Sequence, residues 1–498
     1  MTAWPQEIGA QLAGALPLLL FNVSQFALNL ASMAAVGQLG DLELAGASLA
    51  ISFSNVSGLS LVIGVSFALE TLVSHANGAK RFADCGVHLQ RSFVTCFAIM
   101  VLVSTFWLLG PRIFLALGQP AKVSELAGIY LIWLMPAVWG QAISNSIQRF
   151  LQAQGDFTPL LVLSMPLFAI QLALLYVLAK PSAMGYKGAA MASNITSWVG
   201  ALALAAYVIV CESRRPDETE RRWGGFTKAA LDLRELCSFV KIAFFSMLMI
   251  IVEWWAFEVQ ILLSGLLPNS EGGETTAASA ICFSTVAALF TAALGLSSTS
   301  SSRVGNALGE GDASLAYFRA KVTLAITACY QLFVFPLLMR YGRNWASVFS
   351  SGSSDSEVLE HVSRILPVVG LATIGDCFQG VLSGIIRGCG RQDAGSAINV
   401  VCYYVIGIPL GATLAFSGHF GILGLWIGIA VGCNTQAISL GTLVARTDWD
   451  KEARKAVEGM CDSAAVDAPS TELGDVKVDG EEEDDDEDDN ESSRLLGA

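Results

Sequence analysis

The chain has 498 residues, 53% hydrophobic and 14% charged, with a mean hydropathy of +0.56. An ordinary soluble domain carries about 25% charged residues, so this composition excludes a soluble globular class and points to a membrane protein. The formal charge of -14 sits largely in the last segment, where residues 472–498 hold 13 Asp/Glu against two Lys/Arg and leave -3 for the rest, so no basic nucleic-acid surface is expected.

Taken in chain order, apolar runs of about 20 residues or more predict twelve spans, at 9–36, 44–70, 86–110, 123–147, 157–180, 188–211, 236–267, 275–301, 314–340, 358–387, 395–416 and 421–446. No Lys or Arg precedes Lys80, so the first run lacks the basic flank of a signal peptide and is expected to stay as a membrane helix. Turn-rich or charged connectors separate the runs, such as GQLGDLE at 37–43 and HANGAKRFADC at 75–85. Eleven cysteines form no C-x-x-C pair, and most lie in apolar runs, which argues against disulfides and against a metal site. The sequons at Asn22, Asn55 and Asn194 also fall inside apolar segments, and Asn490 lies in the acidic tail.

An even number of spans puts both ends on one side. Of the 29 Lys and Arg, 22 fall on the side of the termini and seven on the other. Cytoplasmic loops are enriched in these residues, so both termini are expected in the cytosol.

Two short segments recur at nearly constant offset. RFLQAQGD (149–156) resembles RGCGRQD (387–393), and GYKGAAMASNI (185–195) resembles GILGLWIGIAV (421–431). Six spans per half give both halves the same membrane orientation, a parallel repeat found in transporters. The expected architecture is an all-α polytopic membrane protein whose two six-helix bundles flank a central cleft. Residues 1–211 form the N-lobe, 212–235 a cytoplasmic linker, 236–455 the C-lobe and 456–498 a disordered acidic tail.

Several stretches resemble the multidrug and toxic compound extrusion (MATE) family in its plant-like eukaryotic branch. They include VGQLGDLELAGASLA (36–50), FALETLVSHANGAK (67–80), RFLQAQ (149–154) and VEWWAFEVQILLSGLLPN (252–269). SSRVGNALGEGD (301–312), IGDCFQGVLSGIIRGCGRQ (374–392) and YYVIGIPLG (403–411) complete the match. The resemblance implies a MATE-type fold and an antiporter that expels cationic or aromatic organic solutes in exchange for protons or sodium. Two departures stand out. The helix 1 Asp of prokaryotic relatives is absent, the first span offering only Asn22, Gln25 and Asn29, and the usual Cys-Gly-Gln after the helix 2 acid is Val73-Ser74-His75.

A carboxylate near mid-bilayer is costly and commonly functional. Glu253 and Asp376 each fall near the middle of a span, the seventh and the tenth. In the family such acids are proposed to bind the coupling proton or the substrate; the alternative is a pair of hydrogen-bonded structural anchors. At 100° per residue, Phe257 and Gln260 lie about 40° and 20° from Glu253, a surface suited to an organic cation. Further cleft candidates are Asn22, Gln25, Gln379, Tyr403 and Tyr404, with one of Trp254 and Trp255 expected to touch solute and the other to pack. Glu258 reads either as a support for Glu253 or as structural. Glu70 reads as an exposed ion-paired end of its helix near Lys80 and Arg81, and Arg149 and Arg387 as interfacial anchors or partners of loop acids.

Desolvation disfavours a charged carboxylate, so Glu253 can take a proton from an acidic compartment and release it to a neutral cytosol. The expected ligand is a small organic solute and the expected coupling ion H+, with no cofactor. A flippase-like carrier or sodium-coupled exchange is the alternative, although few cations lie within the spans. The absence of H-E-x-x-H, G-x-S-x-G or a Cys/His cluster argues against an enzyme. The terminal Glu491-Ser492-Ser493-Arg494-Leu495-Leu496 resembles an acidic dileucine signal. Read by a cytosolic sorting adaptor, Glu491, Leu495 and Leu496 direct the protein to a vacuolar or lysosome-like membrane; the alternatives are a merely solubilising tail and residence in the plasma membrane.

Overall fold

The computed structural model describes residues 3–180, 184–267, 274–346 and 355–467. The signal-like Glu491, Leu495 and Leu496 lie outside the described residues. Twelve helices among the described residues are long and apolar enough to cross a membrane. They are α1 (Ala3–Gly37), α2 (Asp41–Gly78), α3 (Phe82–Trp107), α4 (Ala121–Ala153), α5 (Thr158–Leu178) and α6 (Tyr186–Ser213). The second half follows with α7 (Leu233–Gly265), α8 (Glu274–Gly309), α9 (Ala313–Ala346), α10 (Asp355–Gly388), α11 (Gln392–Ser417) and α12 (Ile422–Ala445). A further helix, α13 (Trp449–Asp467), carries order past the 455 boundary read from composition.

Each predicted run falls on one of these helices, but the ends move. The second was expected to stop at 70 and continues to Gly78, because the polar turn holding His75 and Asn77 packs against α8 and α10 rather than meeting water. In α11, Pro409 has no N–H to offer, and the hydrogen-bond ladder widens to π turns at Val401–Gly407 and Thr413–Ser417.

The two halves repeat in backbone detail. Helices α2, α4, α8 and α10 all end with a left-handed residue two positions beyond the last helical one: Lys80, Gly155, Gly311 and Gly390, with φ of 58°, 80°, 78° and 72°. In each, the next N–H reaches back to the carbonyl five residues earlier: Arg81 to Ala76, Asp156 to Leu151, Asp312 to Ala307 and Arg391 to Ile386. This is the Schellman closure, which satisfies carbonyls that a helix end leaves unpaired. Gly185 and Gly421, at the starts of α6 and α12, share φ values of 58° and 56°.

The lobes α1–α6 and α7–α12 meet where α1 and α2 pack on α7 and α8. At one crossing Gly64 lies so close to Met247 that a methyl group would strike its backbone. The side-chain hydrogen bonds joining the lobes gather on the face that carries both ends of the span array, here termed the terminus face. There His75 Nε2 donates to the Gly388 carbonyl at 2.8 Å, Asn77 to Asn306 at 2.6 Å, and Ser302 to the Gln152 carbonyl at 2.8 Å. The linker is pinned to this face as well: Gln90 donates to the Gly225 carbonyl at 2.9 Å, and Arg222 donates to Asn77 at 3.0 Å.

Candidate functional site between the lobes

A cavity of about 340 Å³ lies between the lobes. Its N-lobe wall is uncharged above its floor and sets polar side chains among apolar ones. Eight carboxamides line it: Asn22, Gln25 and Asn29 on α1, Gln141, Asn145, Gln148 and Gln152 on α4, and Gln171 on α5. Spacings of three and four residues put each run on a single helix face. That spacing is legible in the sequence, although only the α1 amides were singled out from it. The Gln141 to Gln152 run is an equally clear stripe.

The C-lobe wall carries the acid. Glu253 and Trp254 project from α7 into the cavity, with Phe290 of α8 beside them. Gln379 of α10 donates through Nε2 to Glu253 at 3.0 Å and to Asp376 at 3.1 Å, so one amide bridges the two mid-span carboxyls. Asp376 itself is 3% exposed and does not line the cavity. Behind the bridge, Gln436 donates to Gln379 at 3.1 Å and to Asn399 at 2.7 Å, and Asn399 donates to the Met249 carbonyl at 3.1 Å. This buried chain fixes the bridging amide, leaving Gln379 little freedom to turn away.

The other cleft candidates lie elsewhere. Phe257 and Gln260 share the face of Glu253 but sit one and two turns farther along α7, buried and outside the cavity lining. Phe257 packs on Phe283 and Tyr403 with ring centroids 5.6 and 6.4 Å away. Tyr403 is buried and contacts Cys433 at 3.5 Å, while Trp255 and Tyr404 face outward at 45% and 37% exposure. Helical periodicity supplies azimuth but not height along the axis, and height separates Glu253 from Phe257. Of the two tryptophans, Trp254 lines the cavity. Glu258 does not.

Three charged residues read as peripheral are interior. Glu70 is fully buried and pairs with Arg149 at 3.1 Å, so it is not an exposed helix end. Arg149 also donates to Ser298 across the seam at 2.5 Å and to Gln152 at 2.8 Å. Arg387 is 5% exposed and donates to Ser297 at 2.9 Å. Both guanidiniums lie over the Phe67 ring, 4.3 and 3.9 Å from its centroid, and both line the terminus-side floor of the cavity. Neither function as a membrane anchor nor pairing with loop acids fits this placement, which sequence separation hides.

Two six-helix bundles around a central cavity lined by carboxamides and an acid, joined by hydrogen bonds on one face, define a membrane transporter. The MatE family model matches residues 17–177 and 246–413. Protein DETOXIFICATION 16 of Arabidopsis thaliana is 34% identical over 461 residues, covering 93% of this chain and 92% of the relative. Protein DETOXIFICATION 12 of the same plant is 36% identical over 451 residues, 90% of each chain. The crystal structure of the eukaryotic MATE transporter AtDTX14 superposes with a TM-score of 0.85 at 33% identity, over 92% of this chain and 99% of that one. The Vibrio cholerae MATE transporter VcmN in its bent form, at 19% identity and a TM-score of 0.76 over 92% of this chain and 99% of that one, shares the fold. The chain belongs to the MATE family of multidrug and toxic compound efflux transporters, and it is not an enzyme.

Proposed function

We propose that the protein is a secondary antiporter that exchanges a small organic solute for a proton by rocking one lobe against the other. The observation that carries this reading is the Gln379 bridge between Glu253 and Asp376. No Lys or Arg pairs with either carboxyl at ion-pair distance among the described residues. Two carboxylates sharing one amide repel, and a proton taken up by either relieves that repulsion, so the two protonations are coupled. Only Glu253 of the pair faces the cavity, which makes it the group through which a proton competes with a cationic solute. Trp254 beside it adds an aromatic face for that solute, worth about 0.5 to 2 kcal/mol.

The terminus face is read as cytosolic from its Lys/Arg excess, and the seam of hydrogen bonds there corresponds to a state closed toward the cytosol. Export into a vacuolar or lysosome-like lumen follows if a sorting adaptor reads the acidic dileucine segment. The test is solute-driven proton flux in proteoliposomes with an imposed pH gradient. Glu253→Gln and Asp376→Asn are to be compared with wild type after each is confirmed monodisperse and correctly inserted. Glu253→Gln should lose proton-coupled exchange, whereas wild-type exchange in that variant places the coupling group elsewhere.

A further inference from the structure

The floor of the cavity holds charge that the proposed exchange does not use. Arg149 has a counter-ion, Glu70, at 3.1 Å. Arg387 has none within ion-pair distance among the described residues, although its side chain is 5% exposed. Its Nη2 donates to Ser297 and its Nε has no hydrogen-bond partner among the described residues. A buried guanidinium offers five donors in a planar fork suited to a carboxylate, and leaving it uncompensated is costly. The charged groups around it are Glu70, Arg149 and Glu253. Two guanidiniums therefore share one floor carboxylate, and Glu253 stands farther up the cavity. Gln379, which holds Glu253, precedes Arg387 by eight residues on α10, a rise of about 12 Å at 1.5 Å per residue. Ser297, Ser298 and Ser383 line the same stretch and add short hydroxyl partners.

We propose that this floor is a binding subsite for an anionic group, with Arg387 as its donor. Its ligands are organic cations that also carry a carboxylate at roughly the separation of Arg387 from Glu253. The proposal rests on the cavity being the solute site but not on proton coupling. The cationic end of such a solute meets Glu253 and Trp254, its aromatic body spans toward Phe290, and its carboxylate docks on the fork of Arg387. The carboxylate gains charge-assisted hydrogen bonds that an ester lacks.

The test uses 4′-(aminomethyl)biphenyl-4-carboxylic acid and its methyl ester, a rigid pair that differs in one charge. Both are titrated calorimetrically against the purified full chain in lipid nanodiscs at neutral pH, without an ion gradient. Wild type should bind the acid about tenfold more tightly than the ester. Arg387→Gln should abolish that preference. Arg387→Lys, a point charge without the fork, should keep part of it. Equal affinities for acid and ester in wild type mean that Arg387 merely shares Glu70 with Arg149, and they overturn the subsite. A preference that survives in Arg387→Gln overturns it too. If Arg387→Gln fails to remain monodisperse, Arg387→Lys decides, because an undiminished preference in that variant overturns the subsite. Because binding is read at equilibrium, failure here is separate from loss of proton-coupled flux in Glu253→Gln.

Discussion

Removing the carboxylate of Glu70 tests whether the cavity floor is held by a buried ion pair. Glu70 is fully buried, and the Arg149 side chain is 13% exposed at an N–O distance of 3.1 Å. At an effective dielectric constant of about 20, that separation corresponds to about 5 kcal/mol of attraction, much of it offset by desolvation of the two ions. The net worth of the pair is therefore small, but breaking it is not. In Glu70→Gln, Arg149 keeps neutral acceptors, Ser298, Gln152 and the amide oxygen introduced at position 70, but its largely enclosed charge has lost its counter-ion. The expected loss is about 3 kcal/mol. Arg149→Met should also destabilise, by leaving Glu70 without its direct partner and with only the more distant Arg387. The double variant strands neither member of the pair, although Arg387 loses the carboxylate it shares with Arg149, so it should still be more stable than the sum of the single losses implies, with a coupling of about 1 to 2 kcal/mol. Equilibrium unfolding of all four proteins in mixed micelles measures the cycle. Losses that simply add would refute the pair as the element that holds the floor.

Three further outcomes follow from the same geometry. Gly78 and Gly309 sit against the backbone carbonyls of Asn306 and His75 across the lobe seam. Gly78→Val should keep the terminus face from closing and raise labelling of a Ser298→Cys reporter, in a background without native cysteines, by a membrane-impermeant thiol reagent on that face; unchanged labelling counts against the seam. Asp312 caps the start of α9, where the Leu315 N–H and the Ser314 hydroxyl donate to its carboxylate and hold its pKa below the usual value. Asp312→Ala should cost about 1 kcal/mol of stability. Because the folded-state pKa is the depressed one, the wild-type cap contributes above the unfolded pKa and is lost as pH falls through the folded value, so the gap between the two proteins should narrow in acid. Replacing Leu495 and Leu496 by Ala should shift a fluorescently tagged chain from the vacuolar membrane to the plasma membrane, and unchanged localisation removes support for the sorting reading.

The spans were legible because a bilayer demands a run of apolar residues of fixed length. The repeat was legible because its glycines stand where the backbone turns left-handed, as at Gly185 and Gly421. The charged floor was not. Glu70 and Arg149 are 79 residues apart, and each alone resembles a helix end near water; only the packing of α2 on α4 removes that water. Polar residues at the seam had the same effect on helix length, since His75 and Asn77 read as a loop until their partners on α10 and α8 are known. Glu253 and Asp376 were legible through their cost in the membrane and Gln379 as a cleft amide, but nothing in the sequence marks that amide as the bridge between the two acids. Gln379 differs from any other membrane glutamine only in what lies opposite.

The two walls of the cavity take different parts in the proposed exchange. Carboxamides donate and accept hydrogen bonds without changing charge, so the wall from Asn22 to Gln171 presents the same chemistry at every stage of transport. The groups proposed to switch, Glu253 and Asp376, lie in one lobe and are held by Gln379 of that lobe. If one proton replaces one monovalent cation at Glu253, the cavity reorients with the same net charge in both directions, and neither half of the cycle carries an extra unpaired charge through a low-dielectric interior. Arg387 sets the limit of that balance. A solute with a second, anionic end compensates the floor as well as the acid, while a simple cation leaves the floor as it found it. Selectivity between the two then follows from how fully each solute neutralises the cavity, in addition to how well it fills it.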